Sequence, residues 1–265
     1  MSISSAFSIA RSSLSTTEGR ASLVAGNIAN AQTEGYVRRE AAQVSTNGQS
    51  GTVELRIARQ VDERLAGMSR NASAELGQAS ATSEILGSYL ITLGEPGDEV
   101  SPAARLAEFQ AGLDLLANNP SDPAAQNDLL SRSETLVHSI NKAAVELEAS
   151  RGQAGDSLVS SVGEVNAALS DIAELNERLA LAGTDPTGTS GLMDEMNRRL
   201  DALGTQMDFQ GRWEADGTLT LHTTGGTELV HGETAVKLSA NRDTGRLMAG
   251  DVDITPNSPT ARGSD

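Results

Sequence analysis

Residues 124–182 read AAQNDLLSRSETLVHSINKAAVELEASRGQAGDSLVSSVGEVNAALSDIAELNERLALA, and this stretch decides the fold class. Leu130, Val137, Ile140, Ala144, Leu147, Ala154, Leu158, Val162, Val165, Leu169, Ile172 and Leu179 recur at steps of three, four and seven. That is the period of one helix face, and no Pro interrupts it. Gly152, Gly155 and Gly163 lie inside the stretch and each costs about 1 kcal/mol relative to Ala in a helix. The pattern predicts a long helical rod with a soft middle.

The flanking segments support a mainly α chain. NNPSDP at 118–123 is a sharp break, with Asp122 placed to cap the rod and Pro123 to begin it. Before it, Leu106, Phe109, Leu113 and Leu116 have helical spacing, GEPGDEVSP at 94–102 is a loop, and Asp62 can cap a helix running to about residue 92. After the rod, GTDPTGTSG at 183–191 reads as a turn. Residues 192–204 then form a returning helix, with Leu192, Met196, Leu200 and Leu203 facing the rod. At 212–232 the period changes to two in RWEADGTLTLHTTGGTELVHG, with Asp216-Gly217 and Gly225-Gly226 as turn signals. This predicts a meander of about three short strands between residues 205 and 240. The stretch 241–265 reads as a polar tail or the start of a further domain.

At the other end, Ile3, Phe7, Ala10, Leu14, Thr17, Ala21, Val24 and Ile28 fall at alternating steps of four and three. The seam is one side chain wide, and the opposite face is Ser, Thr and Gly. So narrow a stripe at a terminus points to a helix that waits for a partner. A lone helix is marginal in water, so residues 1–60 are expected to become ordered when that partner covers them. The helix should stop near Asn30, and Gly35 supplies a permissive position for the reversal. Residues 37–61 read as an extended arm, since Val53, Leu55 and Ile57 alternate with polar residues. The expected architecture is mainly α: a terminal helix with an extended arm (1–61), then a long-helix rod domain with a small β-meander (62–240).

Composition narrows the function classes. The 265 residues carry 20 Lys and Arg against 36 Asp and Glu, a formal net charge of −16, which opposes nucleic-acid binding. Cys is absent, so disulfides and thiolate metal sites are excluded. No run approaches the roughly 20 apolar residues of a membrane span, and MSISSAFSIARSS lacks the form of a secretory signal peptide. His138, His222 and His231 have no metal-ligand spacing, and Glu146 with Glu148, or Glu174 with Glu177, read as solvated helix-face charge. The 183–191 loop lacks the Lys-Ser/Thr ending of a phosphate loop, and no G-x-S-x-G surrounds a Ser. Neither catalysis nor a cofactor is expected, which weighs against a wall-remodelling enzyme.

The segment Asn27-Ile28-Ala29-Asn30-Ala31-Gln32-Thr33-Glu34-Gly35-Tyr36-Val37-Arg38 resembles the N-x-x-N-x-x-T-x-G-Y-x-R signature of the flagellar rod, hook and hook-associated protein family. Asn30 can end the helix, Thr33 and Gly35 can reverse the chain, and Tyr36 can pack back as an anchor. A second segment, Leu116-Ala117-Asn118-Asn119-Pro120-Ser121-Asp122-Pro123-Ala124-Ala125 with Leu129, Leu130, Ser131, Arg132 and Leu136 after it, is similar to the hook-associated protein 1 family. The later stretch 191–200 continues that likeness, although Glu195, Met196 and Asn197 depart from the family's usual L-x-D-Q-R-D. NNPSDPAA argues against a distal rod or hook protein, and a cytosolic coiled-coil adaptor would leave the Asn27–Arg38 turn unexplained.

The resemblance implies a structural subunit exported through the flagellar type III apparatus without a cleaved signal. It would form a ring by self-association at the distal hook, outside the cell. Its implied partners are hook protein, the next hook-associated protein and an export chaperone, with no nucleic acid and no membrane. Ile3, Phe7, Leu14, Val24 and Ile28 would be its subunit interface, and Asn27, Asn30, Thr33, Gly35, Tyr36 and Arg38 its family motif. In that family the terminal helix pairs with a C-terminal helix. None is found in this sequence, so the chain is expected to be a fragment of the family pattern or a naturally short version of it.

Overall fold

A computed structural model of the chain describes residues 3–33, 35–45, 53–183 and 186–256. In order, the elements are α1 (Ile3–Ala29), β1 (Arg39–Ser45), β2 (Val53–Arg59), α2 (Glu63–Leu93), α3 (Pro102–Asn118), α4 (Pro123–Ala182) and α5 (Pro186–Gly204). Seven short strands follow: β3 (Gln210–Trp213), β4 (Leu219–His222), β5 (Glu228–His231), β6 (Thr234–Ala235), β7 (Leu238–Ala240), β8 (Leu247–Ala249) and β9 (Val252–Asp253). The chain is mainly α, with the 60-residue α4 as its longest element.

The helix starts are chemically explicit. Asp62 Oδ1 accepts from the Leu65 amide at 3.0 Å, Ser101 Oγ from the Ala104 amide at 3.1 Å, and Asp122 Oδ1 from the Ala124 amide at 2.9 Å. Each satisfies a donor that the first turn leaves unpaired. Two readings change. Of the stretch 183–191 read as a turn, the part from Pro186 on is helix, since α5 begins there and carries Thr189, Ser190 and Gly191. Pro is at ease in a first turn, and Ser190 is buried, so packing overrides the poor helix propensity of the stretch. The extended arm is an antiparallel hairpin, with β1 and β2 paired from Arg39↔Arg59 to Ser45↔Val53.

The contacts divide the chain into two compact units that interleave along the sequence. The first takes residues 1–75, 163–238 and 248–265. Its core joins Val165, Leu169, Ile172 and Leu179 of α4, Met196, Leu200 and Leu203 of α5, and Leu219, Leu221, Leu229 and Val230 of the sheet. Sheet order is β3-β4-β5-β6, all antiparallel, with Leu221 opposite Val230 and a register shift after it. The expected three-strand meander is therefore four strands, and β7, β8 and β9 form a second sheet. Strand structure runs past residue 240 into the stretch read as a polar tail or the start of a further domain; residues 257–265 lie outside the described residues.

Two asparagines of α4 fasten strands to the helix. The buried Asn176 donates from Nδ2 to the carbonyls of Leu219 and Gly232, both at 2.8 Å, and accepts the Leu219 amide on Oδ1 at 2.8 Å. Asn166 makes the same two-ended contact with Leu238, at 2.9 and 2.8 Å. Each amide side chain substitutes for a neighbouring strand.

The second unit takes residues 76–162 and 239–247. Within it α3 and α4 approach at Gly112, where a Cβ would fall 2.8 Å from Arg132 Cδ, and Arg132 Nη1 donates to the Glu108 carbonyl at 3.1 Å. The 241–246 turn sits on α4 at Gly155, where a Cβ would lie 2.3 Å from the Arg242 carbonyl oxygen. Gly155 therefore marks a close approach, and α4 continues unbroken through all three of its glycines. The predicted α4 seam is buried in the first unit but open here, with Leu130, Val137, Ile140 and Leu147 exposed.

Candidate functional site

α1 presents one bare face and one covered face. Ile3, Phe7, Leu14, Val24 and Ile28 are 91 %, 72 %, 61 %, 54 % and 73 % exposed, so the apolar seam is bare. A residue two positions on from a seam residue lies about 200° round the helix. There Thr16 is buried, with Oγ1 donating to the Ser12 carbonyl at 2.8 Å. Gly19 lies so close to Leu55 of β2 that a Cβ would meet Leu55 Cδ2 at 2.8 Å. The face of α1 packed on the hairpin is the one that carries Thr16 and Gly19, and it holds the half-buried Ile9 and Leu23 as well as the Ser, Thr and Gly read from the sequence. Residues 3–29 are therefore not a lone helix, as the sequence suggested, but a helix with one face covered by its own chain.

The turn that follows is closed by the motif residues. Asn30 donates both its amide, at 3.0 Å, and its Nδ2, at 2.9 Å, to the Gly26 carbonyl, which ends α1. Thr33 and Tyr36 continue the reversal through amide bonds to the carbonyls of Asn30, at 2.9 Å, and Thr33, at 3.1 Å. Gly35 adopts φ of 73°, the left-handed region that a Cβ disfavours. Asn27 is the hub: Oδ1 accepts the Tyr36 hydroxyl at 2.9 Å and the Arg39 amide at 3.0 Å, while Nδ2 donates to the Arg39 carbonyl at 2.8 Å. Asn27, Asn30, Thr33, Gly35 and Tyr36 are thus brought together in one turn. Arg38 is not part of it; its largely exposed guanidinium pairs with Glu40 at 3.2 Å.

The neighbouring Arg39 makes the contact that sequence reasoning missed. Arg39 and Arg59 face each other across the hairpin and share the buried carboxylate of Asp194 on α5. Arg39 Nη2 donates to Oδ2 at 2.8 Å; Arg59 donates to Oδ1 from Nη2 at 2.8 Å and from Nε at 3.2 Å. The Arg39 guanidinium also lies 5.2 Å from the Tyr36 ring centroid, which joins it to the turn. Further along α5, Arg198 lies against Gly35, and Arg70 of α2 reaches Asn197 at 3.3 Å and Asp201 at 2.7 Å. Asp194 occupies the first acidic position of the L-x-D-Q-R-D landmark, a signal that was present in the sequence. Its partners were hidden, because Arg39 and Arg59 become neighbours only through the hairpin register.

The site is built of ion pairs and amide clasps. Among the described residues no three His, Cys, Asp or Glu side chains are grouped to hold a metal, and no helix is long and apolar enough to cross a membrane.

The fold is that of a mainly α protein with a helical domain, and comparison places it further. Residues 92–264 match the family "Flagellar hook-associated protein FlgK helical domain", and the chain belongs to this family. It is 24 % identical over 251 residues to flagellar hook-associated protein 1 of Salmonella typhimurium strain LT2, covering 90 % of this chain and 44 % of that protein. With the Escherichia coli K12 protein of the same name identity is 23 % over 269 residues, covering 96 % and 48 %. With that of Bacillus subtilis strain 168 it is 25 % over 239 residues, covering 82 % and 46 %. The chain thus spans less than half the length of these relatives. The solved structure of the flagellar hook junction protein FlgK from Burkholderia pseudomallei shares the fold, with a TM-score of 0.61 at 21 % identity over 73 % of this chain and 34 % of that one.

Proposed function

We propose that this chain is a structural subunit of the bacterial flagellum at the hook–filament junction, acting through its surfaces and not through catalysis. Family membership sets the class. The observation that carries the reading is the bare seam of Ile3, Phe7, Leu14, Val24 and Ile28 on a helix whose other face is already occupied. Covering Phe7, Leu14, Val24 and Ile28 would contribute roughly 1.5–3 kcal/mol per side chain, available only on assembly. The seam is one helix wide and suits packing among like helices. In this reading the subunits form a ring on the distal hook, contact hook protein and the next hook-associated protein, and reach that place outside the cell by type III export with a chaperone and without signal cleavage.

The test is Phe7→Asp in the protein as flagellated cells produce it. It should leave the β3–β6 sheet folded by hydrogen exchange yet release filament subunits into the medium. Motile cells with normal filaments would show that the seam is not the interface.

A further inference from the structure

In its described middle, the β1–β2 hairpin has little to fix its register locally. In β1 the central residues are Ala41 and Ala42, which point to opposite faces and suit either one nearly equally. A slip of one residue would therefore meet small resistance from Ala41 and Ala42, while inverting the face that Leu55 presents to Gly19 of α1.

Register is instead read from outside the hairpin. Two guanidiniums directly opposite on one sheet face repel. Here Arg39 and Arg59 are so placed, with side chains only 24 % and 12 % exposed, and both reach the single carboxylate of Asp194, itself 6 % exposed. Only the pairing Arg39↔Arg59 sets both cations on that carboxylate; a shift of one residue puts Arg39 opposite Ala58. Buried ion groups of this kind are poor sources of stability but can impose a single arrangement. The same Arg39 is tied to α1 through its backbone, held by both ends of the Asn27 side chain.

We propose that Asp194 is the positioning residue of the assembly helix: by clamping Arg39 and Arg59 it fixes the hairpin register and, through the Asn27–Arg39 clasp, the direction in which α1 carries its seam. This rests on the seam being an assembly surface. α5 is then the seat of the terminal module, with Asp194 reading the hairpin and Arg198 bearing on the Gly35 turn. Replacing the clamp by apolar residues should keep the fold and lose the register.

Two isosteric or near-isosteric variants test it. Asp194→Asn leaves two cations without an anion at unchanged size, and Asp194→Glu keeps the charge. In this chain, hydrogen exchange at residues 39–45 and 53–59 should speed up about tenfold or more in Asp194→Asn while Leu219, Leu221, Leu229 and Val230 keep their protection, with substantial recovery in Asp194→Glu. In flagellated cells, Asp194→Asn should impair filament attachment and Asp194→Glu restore it. An unchanged hairpin in Asp194→Asn overturns the proposal, as does equal loss of protection in the sheet, which would make Asp194 a general structural residue. A loosened hairpin with normal filaments also overturns it when Phe7→Asp abolishes attachment. If Phe7→Asp too leaves filaments intact, it is the assembly reading of the seam that fails.

Discussion

Gly35 lies against Arg198 so closely that a Cβ on the glycine would fall 2.2 Å from Arg198 Cγ and 2.9 Å from Cδ. Two constraints meet at one position: a left-handed backbone and a side chain from α5 that fills the space a larger residue would need. The turn after α1 is thus shaped by its own hydrogen bonds and by a helix more than 150 residues further along the chain.

Gly35→Val should consequently loosen the turn and move Arg198. The backbone contribution alone is about 1–3 kcal/mol, and the overlap adds to it. Exchange at the Tyr36 and Arg39 amides should rise markedly in the variant. Truncating the neighbour as well, in Gly35→Val with Arg198→Ala, should recover part of the loss, because the steric portion disappears and the backbone portion remains.

Asn176→Ala should be among the most damaging single truncations in the first unit. It strands the Leu219 amide and the carbonyls of Leu219 and Gly232, all facing a fully buried side chain. Unpaired buried polar groups put the loss at about 3 kcal/mol. Thermal denaturation should show a fall of roughly 6–12 °C. Asn166→Ala, at a half-buried position, should cost about 1 kcal/mol.

Two glycines of α4 should respond with opposite sign. At Gly163 an added Cβ meets nothing within 4 Å, so Gly163→Ala should stabilise the helix by about 1 kcal/mol. At Gly155 the new methyl would press on the Arg242 backbone, so Gly155→Ala should destabilise despite its better helix propensity. Parallel urea unfolding of the two variants checks the signs.

Asp156 titrates below the usual carboxylate range because the Arg242 guanidinium donates hydrogen bonds to it, against a smaller opposing effect of burial, with the guanidinium charge adding to the lowering. A depressed folded pKa contributes stability above the unfolded carboxylate value of about 3.9, and loses it as pH falls through the lower folded value. Carbon-detected NMR titration of Asp156 should show its midpoint move up toward the ordinary value in Arg242→Gln. An unmoved midpoint would mean the pair is not formed in solution.

Much of this protein was decided by local chemistry and was legible in the sequence. The α4 span, its start at Pro123 under Asp122, the end of α1 before Asn30 and the left-handed Gly35 follow from periodicity, capping groups and the freedom of a residue without a Cβ, and these act over a few residues. The outward seam of α1 was visible for the same reason. The tertiary structure decided what depends on residues far apart in the chain. It chose Arg39 over Arg38, because only the hairpin register sets Arg39 beside Arg59 and only the fold brings Asp194 between them. It started α5 at Pro186, since the burial of Ser190 outweighs weak propensity. It also turned Asn166 and Asn176, unremarkable polar residues in a helical sequence, into the fasteners of the sheet, because a side-chain amide can pair with a strand only where a strand is delivered to it.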